Sequence, residues 1–175
     1  MKSLTVTSRY SHWAPLLLRA VMGYGFMVHG WAKLSRGPAN FEKLLVQLGM
    51  PLHHLASWVV PFVELLGGFA LLVGAFVSIA AIPLICVMLT AMFTVHLKYG
   101  FSSIKTVGLG PHGPLFGPPG YEVALLYLAG LIAIVLCGPG ILSVDSILRR
   151  KSRRFRTAGL TEFAPAPNQD GQSSG

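Results

Sequence analysis

The stretch Trp58-Val-Val-Pro-Phe-Val-Glu-Leu-Leu-Gly-Gly-Phe-Ala-Leu-Leu-Val-Gly74 decides the fold of this chain. Its residues are apolar almost throughout, and the clear exception is Glu64, in the middle of the run. A carboxylate at the centre of a membrane helix costs about 2.5–3.5 kcal/mol even on the lenient insertion scale, so acids there are rare and tend to be functional. Glu64 is therefore the first candidate for a functional residue.

The composition of the whole chain extends this pattern. Of the 175 residues, 53% are hydrophobic and only 11% are charged, and the mean hydropathy is +0.61. Soluble domains carry charge on about a quarter of their residues. A helix of about 20 apolar residues crosses the hydrocarbon core of a bilayer. The sequence therefore predicts an integral membrane protein built from helices.

Four apolar segments have the length of membrane helices, which predicts an all-α bundle of four transmembrane helices. Between the first two segments, apolar residues recur at helical spacing from Asn40 to Gly49, so we expect a short helix in the membrane interface. The loop over residues 99–120 holds six glycines and four prolines, and we assign no secondary structure to it. The predicted spans are residues 14–34, 56–76, 78–98 and 121–142, within a membrane domain over residues 14–148.

The distribution of basic residues predicts the orientation. An even number of spans places both termini on one side, and six of the 14 basic residues fall between Arg149 and Arg156. Lysine and arginine accumulate in cytoplasmic segments near membrane helices. We therefore expect a cytoplasmic segment over residues 1–13 and a cytoplasmic tail over residues 149–175, basic at first and then disordered. Because the basic run follows a membrane segment, we predict a multi-pass membrane protein and no nucleic-acid partner.

Polar residues inside the apolar segments fall into two layers when the spans alternate in direction. The inner layer contains Arg19 and Asp145, for which we predict a structural ion pair between the first and last helices. The outer layer contains charges of both signs, as expected where charges pair inside a bundle. Its members are His29, Lys33, Glu64, His96, Lys98 and Glu122.

The outer layer supplies the candidate catalytic and binding residues. Glu64 can carry a proton, and His29 and His96 can bind a carbonyl group or transfer a proton. Each also has a structural interpretation, since Glu64 can form an ion pair with Lys33 and the histidines can be packing residues. The candidate binding residues are Lys33, Glu122, Gly67 and Gly68, the glycines because small residues leave room for a ligand or for a neighbouring helix.

Metal and thiol chemistry have no local signature in the sequence. Cys86 and Cys137 are far apart and form no C-x-x-C pair, so we interpret them as small apolar side chains. Histidine and glutamate can bind zinc, but no tight ligand spacing occurs, and we predict no metal site. No haem, flavin or iron–sulfur motif occurs, so electrons for a redox reaction would come from a partner protein.

The order and spacing of several short motifs resemble the DoxX family of small four-helix bacterial membrane proteins. The motifs are Arg19-Ala-Val-Met-Gly23, Phe26-Met-Val-His-Gly-Trp-Ala-Lys33, Leu48-Gly-Met-Pro51, Val63-Glu-Leu-Leu-Gly-Gly68 with Gly74, Gly120-Tyr-Glu122 and Gly138-Pro-Gly-Ile-Leu-Ser-Val-Asp145. The resemblance implies an inner-membrane bundle associated with redox chemistry. The family includes the large subunit of thiosulfate:quinone oxidoreductase and membrane partners of detoxifying enzymes.

Three functions are compatible with these residues. The first is a quinone-linked redox subunit, in which His29 or His96 binds the quinone and Glu64 carries the proton. The second is a non-catalytic anchor or assembly partner of a membrane or periplasmic redox or detoxification complex, with the 99–120 loop docking the partner. The third is a small transporter or proton pathway, which would require a homo-oligomer because four spans without broken helices make a poor alternating-access machine. The sequence favours a redox-associated membrane subunit and does not separate the catalytic role from the accessory one.

Overall fold

A computed structural model describes residues 13–148 as a helical bundle with one small hairpin. The predicted terminal segments, residues 1–13 and 149–175, lie outside the described residues apart from Trp13. The regular elements are α1 (Ala14–Ser35), α2 (Pro38–Gln47), α3 (His53–Val73), α4 (Val77–Ala91), β1 (Thr106–Gly110), β2 (Gly113–Phe116) and α5 (Glu122–Cys137).

The helix lengths bear on the prediction of membrane spans. Two helices are long and apolar enough to cross a bilayer, namely α3 and the rod Val77–Tyr99, in which α4 continues through a π-helical and a 3-10 turn. The 22-residue α1 has the length but contains Arg19 and Lys33, and α5 is apolar but has only 16 residues. The helical architecture agrees with the prediction, whereas the number of spans and the orientation of the termini stay predictions.

Close packing of α1 against α3 forms the centre of the bundle. A Cβ atom on Gly23 would lie 2.7 Å from the carbonyl oxygen of Gly68, and a Cβ on Gly68 would lie 2.7 Å from that of Gly23. About two turns further along the same face of α1, a Cβ on Gly30 would lie 2.6 Å from the carbonyl oxygen of Pro61. Only glycine permits this approach, which brings the two backbones together.

Helices α4 and α5 complete the core around this pair. Leu71 of α3, Leu84 of α4 and Leu131 of α5 are fully buried. The remaining members of the same buried cluster come from α1, α4 and α5, and they are Met22, Phe26, Val77, Ala81 and Ile134. Apolar side chains on the opposite faces of the helices are exposed, as expected for helices surrounded by lipid.

The last long helix is shorter than the sequence predicts. We expected it to reach residue 142, but α5 ends at Cys137, followed by Gly138 with φ +80° and Gly140 with φ +68°. Two left-handed glycines so close together cannot continue an α-helix. The chain instead folds back under the bundle and forms a short helical turn over residues 144–148.

The loop to which the sequence assigns no secondary structure contains a β-hairpin. Strands β1 and β2 pair antiparallel, with Leu109 opposite Pro114 and a bulge between Thr106 and Gly108. The base of the hairpin is fixed to the start of α5, because the amide of Glu122 donates to the carbonyl of Phe101 over 3.0 Å. A high glycine and proline content is thus compatible with a short two-stranded ribbon.

Candidate functional site

Glu64 and Lys33 form a direct ion pair between α3 and α1. The Lys33 Nζ atom lies 2.5 Å from both carboxylate oxygens of Glu64. Glu64 is 4% exposed, whereas the Lys33 side chain is 26% exposed. The close approach at Gly30 sets this geometry, since a Cβ there would lie 3.2 Å from Cβ of Glu64. Of the two interpretations of Glu64, the geometry corresponds to a charged link between two helices.

The two glycines after Glu64 contact neighbouring helices, so no space for a ligand lies beside them. Gly68 meets the backbone of α1 at Gly23 and Met27. Gly67 faces α4, where a Cβ would lie 3.1 Å from the side chain of Leu84. Of the two roles predicted for small residues at these positions, the structure therefore has close helix packing.

His29 lies on the surface of α1, one helical turn before Lys33. Its side chain is exposed, and its ring centroid is 6.5 Å from that of Tyr127 on α5, in an edge-to-face arrangement. Tyr127 in turn packs edge-to-face on the buried Phe26, with ring centroids 5.1 Å apart. His29 and Tyr127 thus place an imidazole and a phenol ring next to each other at the contact between α1 and α5.

The remaining members of the predicted outer layer lie at the end of the bundle from which the hairpin projects, which we call the hairpin end. His96 closes the π-helical turn, and its Nδ1 atom is 3.1 Å from the carbonyl oxygen of Pro119. Glu122 accepts a hydrogen bond of 2.9 Å from the amide of Ser103. Lys98 lies over the ring of Tyr99 at 5.1 Å. These side chains fasten the base of the hairpin.

The predicted outer layer therefore consists of three separate groups. The first is the pair Lys33 and Glu64, the second is His29 with Tyr127, and the third is the hairpin base. Depth along a helix could be inferred from sequence position, but the direction of each side chain around its helix could not. Similar depth was not sufficient for contact.

Arg19 does not form the predicted ion pair with Asp145. It is fully buried, and its guanidinium donates to backbone carbonyls of Leu71 (3.0 Å), Leu72 (3.5 Å) and Leu142 (3.2 Å), together with those of Pro139 and Ile141. Leu71 and Leu72 belong to the last turn of α3, whose carbonyls have no partner within the helix. Arg19 is thus a cationic cap for α3 that also binds the 139–142 turn.

Asp145 caps the next helix along the chain. Its carboxylate accepts from the amides of Phe76 (2.8 Å) and Val77 (3.1 Å), at the start of α4. Its own amide donates to the carbonyl of Gly74 over 3.0 Å. Carboxylates stabilise helix N-termini because they satisfy free N–H groups and oppose the helix dipole. The predicted ion pair does not form because free backbone groups at the helix ends compete with the opposite charge for each side chain.

A polar group that the sequence reasoning missed links α2 to the start of α3. The two carboxylate oxygens of Glu42 lie 3.1 Å from Nδ1 of His53 and 3.1 Å from Nδ1 of His54. The hydrogen bond with His54, and then that with His53, lowers the pKa of Glu42 from its ordinary value of 4.5. The signal was the adjacent His-His pair within reach of an amphipathic helix. Among residues 13–148, no group of three or more His, Cys, Asp or Glu side chains has the geometry to hold a metal ion.

This fold and these polar contacts define a helical membrane protein with internally paired charges. Residues 14–97, which include α1 to α4, match the sequence model of the DoxX family, a family of membrane proteins. An uncharacterized protein of Haemophilus influenzae is 28% identical over 145 residues, which covers 82% of this chain and 96% of that protein. No solved structure matches the chain significantly.

Proposed function

We propose that this chain is a multi-pass subunit of a redox or detoxification complex in the bacterial inner membrane, where it anchors and assembles partner proteins and does not itself catalyse the reaction. The observation that carries the proposal is the use of its buried charges. Glu64 is bound by Lys33, and Arg19 is bound by five carbonyls, so neither is left free to act on a ligand.

The absence of orphaned polar groups supports this role. Within the described residues, every buried side-chain nitrogen or oxygen has a hydrogen-bond partner. Ionisable side chains that act in membrane proteins usually face a water-filled cavity or belong to a chain of groups that transfers protons. A surface pocket of about 270 Å³ lies at Phe76, Val77 and Asp145 and does not adjoin Glu64. The association with redox chemistry comes from the family resemblance alone.

The test compares complex recovery with turnover. Tagged protein is purified from native membranes, and its partners are identified by mass spectrometry, for the wild type and for Lys33→Met. We expect Lys33→Met to reduce protein level and partner recovery in parallel, with unchanged activity per recovered complex. A matched control is Lys43→Met, on the exposed side of α2. Normal recovery with a selective loss of activity per complex would overturn the anchoring role.

A second candidate function is supported by His29 and Tyr127. A quinone ring lies among apolar side chains and needs hydrogen-bond donors for its carbonyls. The exposed His29 and the half-buried Tyr127, whose rings meet edge-to-face at the contact between α1 and α5, offer two such donors. In this version the subunit binds a quinone at its lipid-facing surface, and the partner supplies the electrons.

A photoreactive quinone analogue tests this candidate in reconstituted membranes. Labelling at the contact between α1 and α5 supports a quinone site if it is lost in His29→Leu and in Tyr127→Phe. Cys86→Ser, on another lipid-facing surface, is the control and should leave labelling unchanged. Labelling that is insensitive to all three substitutions would exclude this site.

The proposed topology has four spans with both termini in the cytoplasm. It rests on the basic run after residue 148, which we assign to the cytoplasm. With four spans, the hairpin then lies on the opposite side, in the periplasm. Reporter fusions test it directly. Alkaline phosphatase inserted after His112 should be active, and a fluorescent protein at the C-terminus should fold and fluoresce, whereas the opposite pattern would reverse the orientation.

A further inference from the structure

The hairpin between α4 and α5 exposes an unusual amount of apolar surface. Leu109 is 85% exposed, Ile104 is 77% exposed and Phe116 is 61% exposed. Leaving such a side chain in water rather than burying it costs about 1.5–3 kcal/mol each. A two-stranded ribbon alone is also only marginally stable. Something therefore covers this hairpin when the protein is in its native setting.

Exposed apolar side chains follow one another along the chain from the α4 rod into the hairpin. Phe93 and Leu97 are exposed on the last turns of the α4 rod, and Phe101 continues the series at the hairpin base. Ile104 and then Leu109 extend it without an intervening acidic residue. The apolar outer surface of the rod is thus followed directly by exposed apolar side chains of the hairpin.

The hairpin base has the composition of a membrane–water interface. Tyr121 packs edge-to-face on Phe101, with ring centroids 5.5 Å apart, and Lys98 lies over Tyr99. Tyrosine concentrates at the headgroup level of bilayers, and lysine extends its ammonium group toward the same level. The hydrogen bond from the amide of Ser103 to the carboxylate of Glu122 ties the hairpin segment to the start of α5.

The charge of the segment is also complementary to phospholipid. No aspartate or glutamate occurs between Glu64 and Glu122, whereas Lys98 and Lys105 flank the first half of the hairpin segment. Basic residues next to membrane helices are attracted to anionic headgroups. An acidic protein surface would attract the same lysines. It would not explain why exposed apolar side chains run from the α4 rod into the hairpin.

We propose that the hairpin lies face-down on the bilayer and binds its anionic phospholipid surface. Strand register places Leu109 and Pro114 opposite each other, so they point to the same face, while Leu115 points to the other face and folds over Gly110. The face with Leu109 meets the acyl–headgroup boundary. Open strand edges do not occur within the hydrocarbon core, so the ribbon stays in the interface, where water and headgroups bond its free backbone groups.

The experiment places one environment-sensitive fluorophore on each face of the hairpin. The full chain, with Cys86→Ser and Cys137→Ser, is labelled at Leu109→Cys or at Leu115→Cys. It is then reconstituted as a single copy per nanodisc of phosphatidylethanolamine and phosphatidylglycerol. Both positions are exposed in the protein alone, so both variants should fold. We expect a blue-shifted emission and quenching by headgroup-proximal doxyl lipid at position 109, and quenching by aqueous iodide at position 115.

Each other outcome contradicts the proposal. Equal iodide access at both positions would show that lipid does not cover the hairpin. Equal protection of both positions would exclude the face-down arrangement. Iodide access at position 109 in nanodiscs, combined with protection in native membranes, would assign the surface to a protein partner. Because a nanodisc with one copy contains no partner, failure here leaves the proposed anchoring function standing.

Discussion

Arg19 and Asp145 hold the two sides of a single turn without contacting each other. Arg19 binds the carbonyls that end α3, and Asp145 binds the amides that begin α4. Gly74 lies between them with φ +72°, and a Cβ there would lie 2.6 Å from the guanidinium carbon of Arg19. The two charges therefore stabilise the α3–α4 turn by neutralising opposite ends of two helix dipoles.

Replacing Asp145 should loosen the start of α4. Asp145→Ala removes the acceptor for Phe76 and Val77, and loss of an N-cap costs about 0.5–2 kcal/mol. We expect a lower melting temperature in detergent. Intrinsic fluorescence or a thermal aggregation assay measures it. Asp145→Asn keeps one acceptor oxygen and should recover most of the stability. Equal loss in both variants would point to the charge and not to the hydrogen bonds.

Arg19→Lys should be strongly destabilising although it preserves the charge. Lysine has one ammonium group and cannot reach the five carbonyls that the planar guanidinium binds. Each buried carbonyl left without a partner costs about 1–3 kcal/mol. The measurement is protein yield and melting temperature after membrane extraction. Arg36→Lys, on the exposed end of α1, is the matched control and should behave as wild type.

The Lys33–Glu64 pair should show asymmetric effects in a double-mutant cycle. Lys33→Met leaves the 4% exposed carboxylate of Glu64 without its partner, and breaking a buried pair this way costs up to about 3–5 kcal/mol. Glu64→Gln should cost less, because an amide oxygen still accepts from Lys33 and the partly exposed lysine can extend toward water. Unfolding free energies from steric trapping in micelles measure both. A cycle with no coupling energy would contradict the direct contact.

Adjacent glycines of α3 should differ sharply in their tolerance of a methyl group. Gly68→Ala brings a Cβ within 2.7 Å of a backbone oxygen on α1, which only separation of the helices can relieve, at about 1–3 kcal/mol. Gly67→Ala meets only the side chain of Leu84, which can change its rotamer. The two variants have the same chemistry and the same loss of glycine, so the difference in melting temperature isolates the α1–α3 contact. Similar losses would mean that the helices are not in backbone contact.

The sequence predicted the helical class and three of the four long helices closely, because apolar length and glycine position are local signals. It also identified Lys33 with Glu64 as one interpretation, since both lie at similar depth. It failed for Arg19 and Asp145, because these side chains bind backbone groups and do not form an ion pair with each other. It left the hairpin segment unassigned, because strand pairing between Leu109 and Pro114 depends on a register that composition does not contain.

Stability should depend on pH through Glu42. Its pKa is lowered in the folded protein, first by the hydrogen bond with His54. A carboxyl group with a lowered pKa contributes stability that is fully present above its unfolded pKa, 4.5 here, and is lost as pH falls through the folded value. Wild-type protein should therefore lose melting temperature below about pH 4.5 more steeply than Glu42→Gln, which has no proton to bind at that position. The control is His112→Gln, at the exposed hairpin turn, which should follow the wild-type curve. Superimposable acid limbs for wild type and Glu42→Gln would show that the carboxylate contributes nothing to the link between α2 and α3.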